Sequence, residues 1–160
     1  MVSFDDWILA LHVLSAFALV GAIVLFWLLI VAVRRADLPE ATIRMEPIAR
    51  LGNVAVGIGS IGTLVFGIWL AISFDAYQVW DGWIIGAIIL WAISIETGRR
   101  AGVEYTNAMR KAEELQAAGQ TGPSAELGTM NRTSNGLLLH GVSSALVLLI
   151  LIDMIWKPGA

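Results

Sequence analysis

Four long apolar runs decide what this chain can fold into. They cover positions 7–33, 53–74, 80–95 and 136–156. A helix that crosses a bilayer needs about 20 mostly apolar residues. Backbone groups in hydrocarbon must find partners within their own segment, so each run is expected to be a helix. The runs are apolar all round, so periodicity does not say which face of each is buried. The third is the shortest and is expected to continue past the membrane. Of the 160 residues, 58% are hydrophobic and only 14% charged, where a soluble domain carries roughly 25% charged residues. The lipid bilayer is therefore the expected partner of much of the surface.

The net charge is −3, and the basic residues lie in loops beside apolar runs. Nucleic acid is therefore excluded as a partner. With no cysteine in the chain, there is no disulfide, thiolate metal site or cysteine nucleophile. The opening "MVSFDDW" is acidic and lacks the basic start and small-residue cleavage site of a signal peptide, so the first run is expected to stay in the mature protein.

Lys and Arg set the expected orientation. Arg34, Arg35, Arg44 and Arg50 follow the first run, and Arg99, Arg100, Arg110, Lys111 and Arg132 follow the third. Only Lys157 lies on the other side, so nine of the ten basic residues share one face. The positive-inside rule makes that face cytoplasmic. The expectation is a multi-pass protein of the inner (plasma) membrane with both termini outside. Trp7, Tyr77, Trp80, Trp83 and Trp156 then fall near the outer boundary as an aromatic belt. Asp75 and Asp81 flank a short, solvated outer loop.

Local signals mark the helix ends. Ser3 with Asp6 reads as a capping box, and Asp37, Leu38 and Pro39 break the chain after the first helix. "GRRAGVEYTNAMRKAEELQAAG" continues the third helix with good helix formers up to Gly119, a C′ residue. Ser124 is a candidate N-cap for the fourth. The expected helices are about 4–34, 48–74, 80–118 and 124–157, in a single membrane domain over 1–160. The fold class is all-α: a transmembrane up-down-up-down four-helix bundle whose helices 3 and 4 extend into a cytoplasmic helical hairpin.

In the second run Ala55, Gly59, Thr63, Gly67 and Ala71 recur every four residues, with Gly52, Gly57 and Gly62 beside them. Such a face lets helix backbones approach closely. It could also offer a flat surface to a planar cofactor. Both uses can hold at once.

An ionisable side chain within a membrane helix is a functional candidate by default. The two histidines are such groups. His12 lies five residues past Trp7, roughly 7 Å below the outer boundary at 1.5 Å per residue. His140 lies sixteen residues before Trp156, roughly 24 Å below that boundary. The two rings cannot both ligate one metal or one haem. Asp153 and Met154 share the depth of His12. Met154 offers a soft axial ligand to haem iron, and Asp153 could orient the imidazole by accepting its second N–H. His140 lies at a depth similar to Glu96. For each histidine the plainer role is one hydrogen bond to a neighbouring helix. Glu96 precedes Arg99 and Arg100 closely, so it is expected to pair with them. The "NRT" glycosylation triplet at 131–133 falls on the cytoplasmic side. No phosphate-binding loop, Ser-His-Asp set or HExxH zinc motif is present.

"WILALHVLSAFALVGA" resembles the first helix of a loose group of small bacterial membrane proteins that share W-x-x-x-L-H-V/I followed by small residues. The group includes the CopD copper-resistance proteins, the HemJ type of protoporphyrinogen oxidase, and a set described only as predicted integral membrane proteins. The last set is similar in length, and "DGWIIGAIILWAISIETGRR" resembles its third helix running into a basic extension. In HemJ-like proteins the first-helix histidine is taken to ligate haem, so the resemblance implies that role for His12. Those proteins also carry a lysine after the third-helix tryptophan, which "GWIIGAI" lacks around Gly86, so protoporphyrinogen oxidation is not implied. CopD-like proteins would offer more outward Met and His than His12, Met154 and Met1.

Three functions stay open. One is a membrane protein that binds b-type haem through His12 for electron transfer or porphyrin handling, with a cofactor site drawn from His12, Met154, Asp153, Gly59, Gly67 and His140. The second is a structural or accessory subunit of a larger membrane complex or homo-oligomer. The third is a copper or small-solute transport component, for which the runs show no continuous polar path.

Overall fold

A computed structural model describes residues 3–74 and 78–158. Asp75 and Tyr77, placed above in the outer loop and the aromatic belt, lie outside those residues, as do Met1 and Ala160. The elements are α1 (Phe4–Val33), α2 (Pro39–Ile43), α3 (Glu46–Ser73), α4 (Gly82–Ala117), α5 (Ala125–Asn131) and α6 (Ser134–Trp156). There is no strand among the described residues. The stretches Phe4–Val33, Pro39–Ser73, Gly82–Ala117 and Ala125–Trp156 are each long and apolar enough to cross a membrane.

Several ends form as their residues dictate. Ser3 and Asp6 close a reciprocal capping box on α1, with Ser3 N–H donating to Asp6 Oδ2 at 2.7 Å and Asp6 N–H to Ser3 Oγ at 3.2 Å. α4 ends in a Schellman motif: Gly119, at φ +76°, lets its own N–H reach Gln116 O and the Gln120 N–H reach Leu115 O. A side chain is strained at that φ, which is why glycine suits the position. Ser124 caps α5 through Leu127 N–H at 3.3 Å.

Three expectations need correction. The fourth helix over 124–157 is two helices, α5 and α6, broken at Arg132 and Thr133. The carbonyls freed at the break accept from Arg34 Nη1, each at 3.3 Å, so a charged group from another helix stabilises the interruption. The chain between the first two long helices carries a short helix rather than being all loop, because Pro39 opens α2 at a position where its missing N–H costs nothing. Trp83 is not a belt residue. It is buried against Ala71 and Ile84, with Met154 beside them.

Packing is inside-out by soluble-protein standards. Many of the covered positions are small: Ala22 on α1, Gly52, Gly59 and Ser60 on α3, Ala87, Ser94, Ala101 and Ala108 on α4, Gly136 and Ser143 on α6, beside larger ones such as Leu19, Leu29, Leu70 and Trp83. Large side chains such as Leu14, Phe17, Ile61 and Leu138 point outward and are exposed. That arrangement suits a lipid surround, where small residues permit close helix approach and lipid tails solvate the rest. On α1 the buried residues Ile8, Ser15, Ala22 and Leu29 recur every seven positions, and on α4 Ala87, Ser94, Ala101 and Ala108 do the same. A seven-residue stripe keeps one seam facing one partner helix.

The partners are α3 for α1 and α6 for α4. Phe4 meets Trp69, His12 meets Thr63, Ser15 meets Gly59, and Phe26 meets Gly52. Ser94 meets Ser143, and Glu104 meets Asn135. In both pairs the contacts run in reverse order along the two helices. The pairs themselves touch mainly at their ends. At one end Ala71 of α3 packs on Trp83 and Ile84 of α4. At the other, Asp37 meets Arg132 at 3.3 Å, Ser124 N–H donates to Asp37 O at 3.0 Å, and Asn131 Nδ2 donates to Ala36 O and Thr42 Oγ1. Between the ends, Trp27 Nε1 of α1 bridges to Ser144 Oγ of α6 at 3.0 Å, and much of the remaining space is open cleft.

Asn131 is fully buried, and its amide ties α5 to both flanks of the α1–α2 turn. Asn131→Leu removes both bonds and leaves the Thr42 hydroxyl, itself 2% exposed, without that donor. A stability loss of about 1–3 kcal/mol is expected, read as a lower melting temperature in detergent. An unchanged melt would show that this tie is dispensable.

Candidate functional site

The cleft between the two helix pairs has two chambers. One, of about 520 Å³, is lined by His12, Thr63, Gly67, Trp83, Met154 and Lys157 among others. The second, of about 730 Å³, is lined by Phe26, Trp91, Ser94, Tyr105, Asn131 and His140 among others. Trp91 and Ile150 line both. Each volume lies in the range of about 300–1,000 Å³ common for small-molecule and cofactor sites.

His12 is placed by α1 against α3. Its Nδ1 lies 3.0 Å from the Thr63 carbonyl. A carbonyl accepts only, so Nδ1 carries the proton and donates, and Nε2 is left as a lone-pair nitrogen. Nε2 has no hydrogen-bond partner among the described residues. Gly67 makes the geometry possible, since a Cβ there would stand 3.0 Å from His12 Cε1 and 3.2 Å from Nδ1. Asp153, expected to orient His12, does not hold the ring. Its Oδ2 is buried without a partner among the described residues. Met154 does share the His12 chamber, from the other helix pair.

Gly59 sits at the tightest crossing of α1 and α3. A Cβ there would meet Leu19 N at 2.6 Å and Ser15 O at 2.8 Å. Its place is thus in the packing seam, and the Gly67 end of the same small-residue face is the end that borders a chamber.

His140 occupies the second chamber, buried among aromatic rings. Trp27 meets it edge-on at 5.0 Å between centroids and Phe26 at 6.3 Å. Its Nε2 is buried without a hydrogen-bond partner among the described residues. Glu96 is not its partner: that carboxylate accepts from Arg99 Nε at 2.8 Å and Arg100 Nε at 2.7 Å, as its spacing implied. The sequence did not single out Thr63 O, Trp27 or Trp91. The Trp27 and Trp91 indoles could have been flagged as N–H donors in apolar helices, but a backbone carbonyl has no residue-type signature.

No three His, Asp or Glu side chains converge as a metal ion would need, among the described residues. Two apolar-walled chambers are what the molecule presents instead, one with the His12 ring held by the Thr63 carbonyl and the other with His140, whose Nε2 has no hydrogen-bond partner among the described residues.

These features belong to a class, the multi-pass helical membrane protein with small-residue helix seams. Residues 6–158 match the family "Predicted integral membrane protein (DUF2269)", and the chain belongs to that family. It is an integral membrane protein with four apolar spans. No curated protein and no solved structure matches it.

Proposed function

We propose that the protein binds b-type haem in the His12 chamber, for electron transfer or porphyrin handling. The observation that carries this reading is the His12 ring itself. Its Nδ1–H is spent on the Thr63 carbonyl, 3.0 Å away, which leaves Nε2 for iron. An imidazole that ligates a metal through one nitrogen commonly gives the other N–H to an oxygen acceptor, which fixes its tautomer and raises its basicity. Haem brings four nitrogens of its own, so it needs only one or two protein ligands, where a bare copper ion needs a cluster. Met154 lines the same chamber from the other pair and would be the second residue to hold the group. When bound, haem supplies a one-electron iron couple. The chain's part is to hold the macrocycle, fix the imidazole and exclude water.

The visible spectrum of the detergent-purified protein tests this. A Soret band, with resolved α and β bands on reduction, is expected. Protein expressed with ample haem that carries none would make His12 a packing residue of a structural subunit.

The same reading places the protein in the inner membrane as an up-down-up-down bundle. Support comes from charge: nine of the ten Lys and Arg residues lie at the end that carries the 34–50 and 99–132 segments, and that end faces the cytoplasm. Reporter fusions at Gly119 and Ala160 are expected to read inside and outside respectively. A cytoplasmic signal at Ala160 would invert the arrangement.

A further inference from the structure

Charge divides the two chambers. The second is bordered by side chains of both signs, Glu46, Arg50, Arg99, Arg110 and Glu113. The His12 chamber is bordered by a single charged side chain among the described residues, Lys157. The other nine Lys and Arg residues lie at the opposite end of the chain's long helices. An occupant of the His12 chamber therefore meets one positive charge and no negative one on its walls.

The fold holds that charge at the wall. Lys157 ends α6 at φ +43°, the only positive φ of a non-glycine among the described residues. A side chain is disfavoured there, and such a conformation persists only where its surroundings secure it. The Lys157 N–H donates to Asp153 O at 2.8 Å. Its Nζ stands 5.6 Å from the centroid of the Trp83 ring, within reach of a cation–π contact. Trp83 is itself buried, packs with Ala71 and Ile84, and lines the chamber. An ammonium has three donors and no acceptor, so contact with a ring face still lets it donate to an acceptor in the chamber. Apolar neighbours such as Phe17, Ile68 and Leu151 strengthen a charge-assisted bond of that kind, because little water competes for it. The chamber thus suits a body that is apolar over most of its surface and anionic at one edge.

We infer that Lys157 holds a propionate carboxylate of the haem, and so sets which edge of the macrocycle faces the end of α6. Haem carries its two carboxylates on one edge and apolar groups on the others. One imidazole on the iron leaves the macrocycle able to turn about the iron–nitrogen bond. A cation at one side of the chamber removes that freedom. This inference rests on the haem reading and extends it to a second point of recognition, on a different helix pair from His12.

The test titrates two probes, haem and haem dimethyl ester, into the haem-free full chain in a neutral detergent and follows the Soret band. Both offer the same iron to His12, and the ester has no carboxylate. Each probe is compared between wild type and variant, so its partition into micelles cancels. Lys157→Met keeps an apolar stem against Trp83 and removes the charge. It should weaken haem binding about tenfold and leave ester binding unchanged. Unchanged ester binding also shows that the variant's chamber is intact. Should circular dichroism show Lys157→Met to be misfolded, Lys157→Gln takes its place. Equal weakening of both probes in a folded variant would make Lys157 a packing residue. No weakening of either would leave the carboxylate unheld. Both results overturn the inference and leave the haem reading standing. A wild type that binds neither probe overturns the two together.

Discussion

Gly59→Ala should melt well below the wild type, whereas Gly57→Ala should melt at or above it. Both glycines lie inside α3, and alanine is the better helix former by about 1 kcal/mol. Intrinsic propensity therefore favours both changes. At Gly57 a Cβ meets nothing within 4 Å, so the propensity gain stands alone. At Gly59 the same atom would lie 2.6 Å from Leu19 N, 2.8 Å from Ser15 O and 2.9 Å from Leu19 Cα. These are backbone atoms of α1, so no rotamer change relieves the clash. The two helices must separate, and their seam of small residues opens. Overpacking of this kind costs about 1–3 kcal/mol, and more for a larger side chain, so Gly59→Leu should be worse still. Gly62→Ala should also destabilise, because its Cβ would meet the Ser15 hydroxyl and would lie 2.9 Å from Ser15 Cβ, which no rotamer change moves. Melting curves in one detergent rank the variants. Gly59→Ala melting with or above Gly57→Ala would mean that α1 and α3 do not cross there.

The contrast between these glycines shows what the sequence could and could not reveal. Four membrane helices follow from length and apolarity, because hydrocarbon leaves the backbone no other way to satisfy its polar groups. The Ser3–Asp6 box and the Gly119 stop follow from short-range chemistry. The spacing of Ala55, Gly59, Thr63, Gly67 and Ala71 announced a packing face. It did not say that Gly59 would meet backbone and Gly67 an imidazole, since both read as small residues four apart. Nor was the pairing of helices legible. The seven-residue stripes on α1 and α4 were present in the sequence, but a uniformly apolar background hides which small residues are covered. The break before α6 was missed because its stabilising group, Arg34, lies about a hundred positions away in the chain. A sequence with no local breaker reads as continuous helix.

Of the candidate site, the residue types were legible and the partners were not. His12 stood out because an ionisable ring in an apolar helix needs a reason. Depth paired it with Asp153, and depth alone cannot see rotation about a helix axis. The ring turns to α3, and its acceptor is a main-chain oxygen.

That oxygen makes the final prediction sharp. His12→Ala should abolish the Soret absorption of the purified protein, while His140→Ala should keep most of it, because the two rings line different chambers. Both changes delete a partly or fully covered imidazole, so a purely structural role would give losses of similar size. Gly67→Val separates ligation from folding. It adds atoms where a Cβ alone would already stand 3.0 Å from the ring, so the imidazole must leave the Thr63 carbonyl. Haem binding should then weaken or the spectrum should shift, with the ligand still present in the sequence. Loss of the group that holds a ligating imidazole commonly costs about 10–100-fold in affinity. Met154→Leu keeps the side-chain volume and removes the sulfur. It should alter the reduced spectrum if the sulfur also holds the group, and leave the spectrum unchanged if His12 binds alone. A Soret band that survives His12→Ala but disappears in His140→Ala would move the haem to the second chamber. The imidazole held by Thr63 would then be a hydrogen bond between two helices and nothing more.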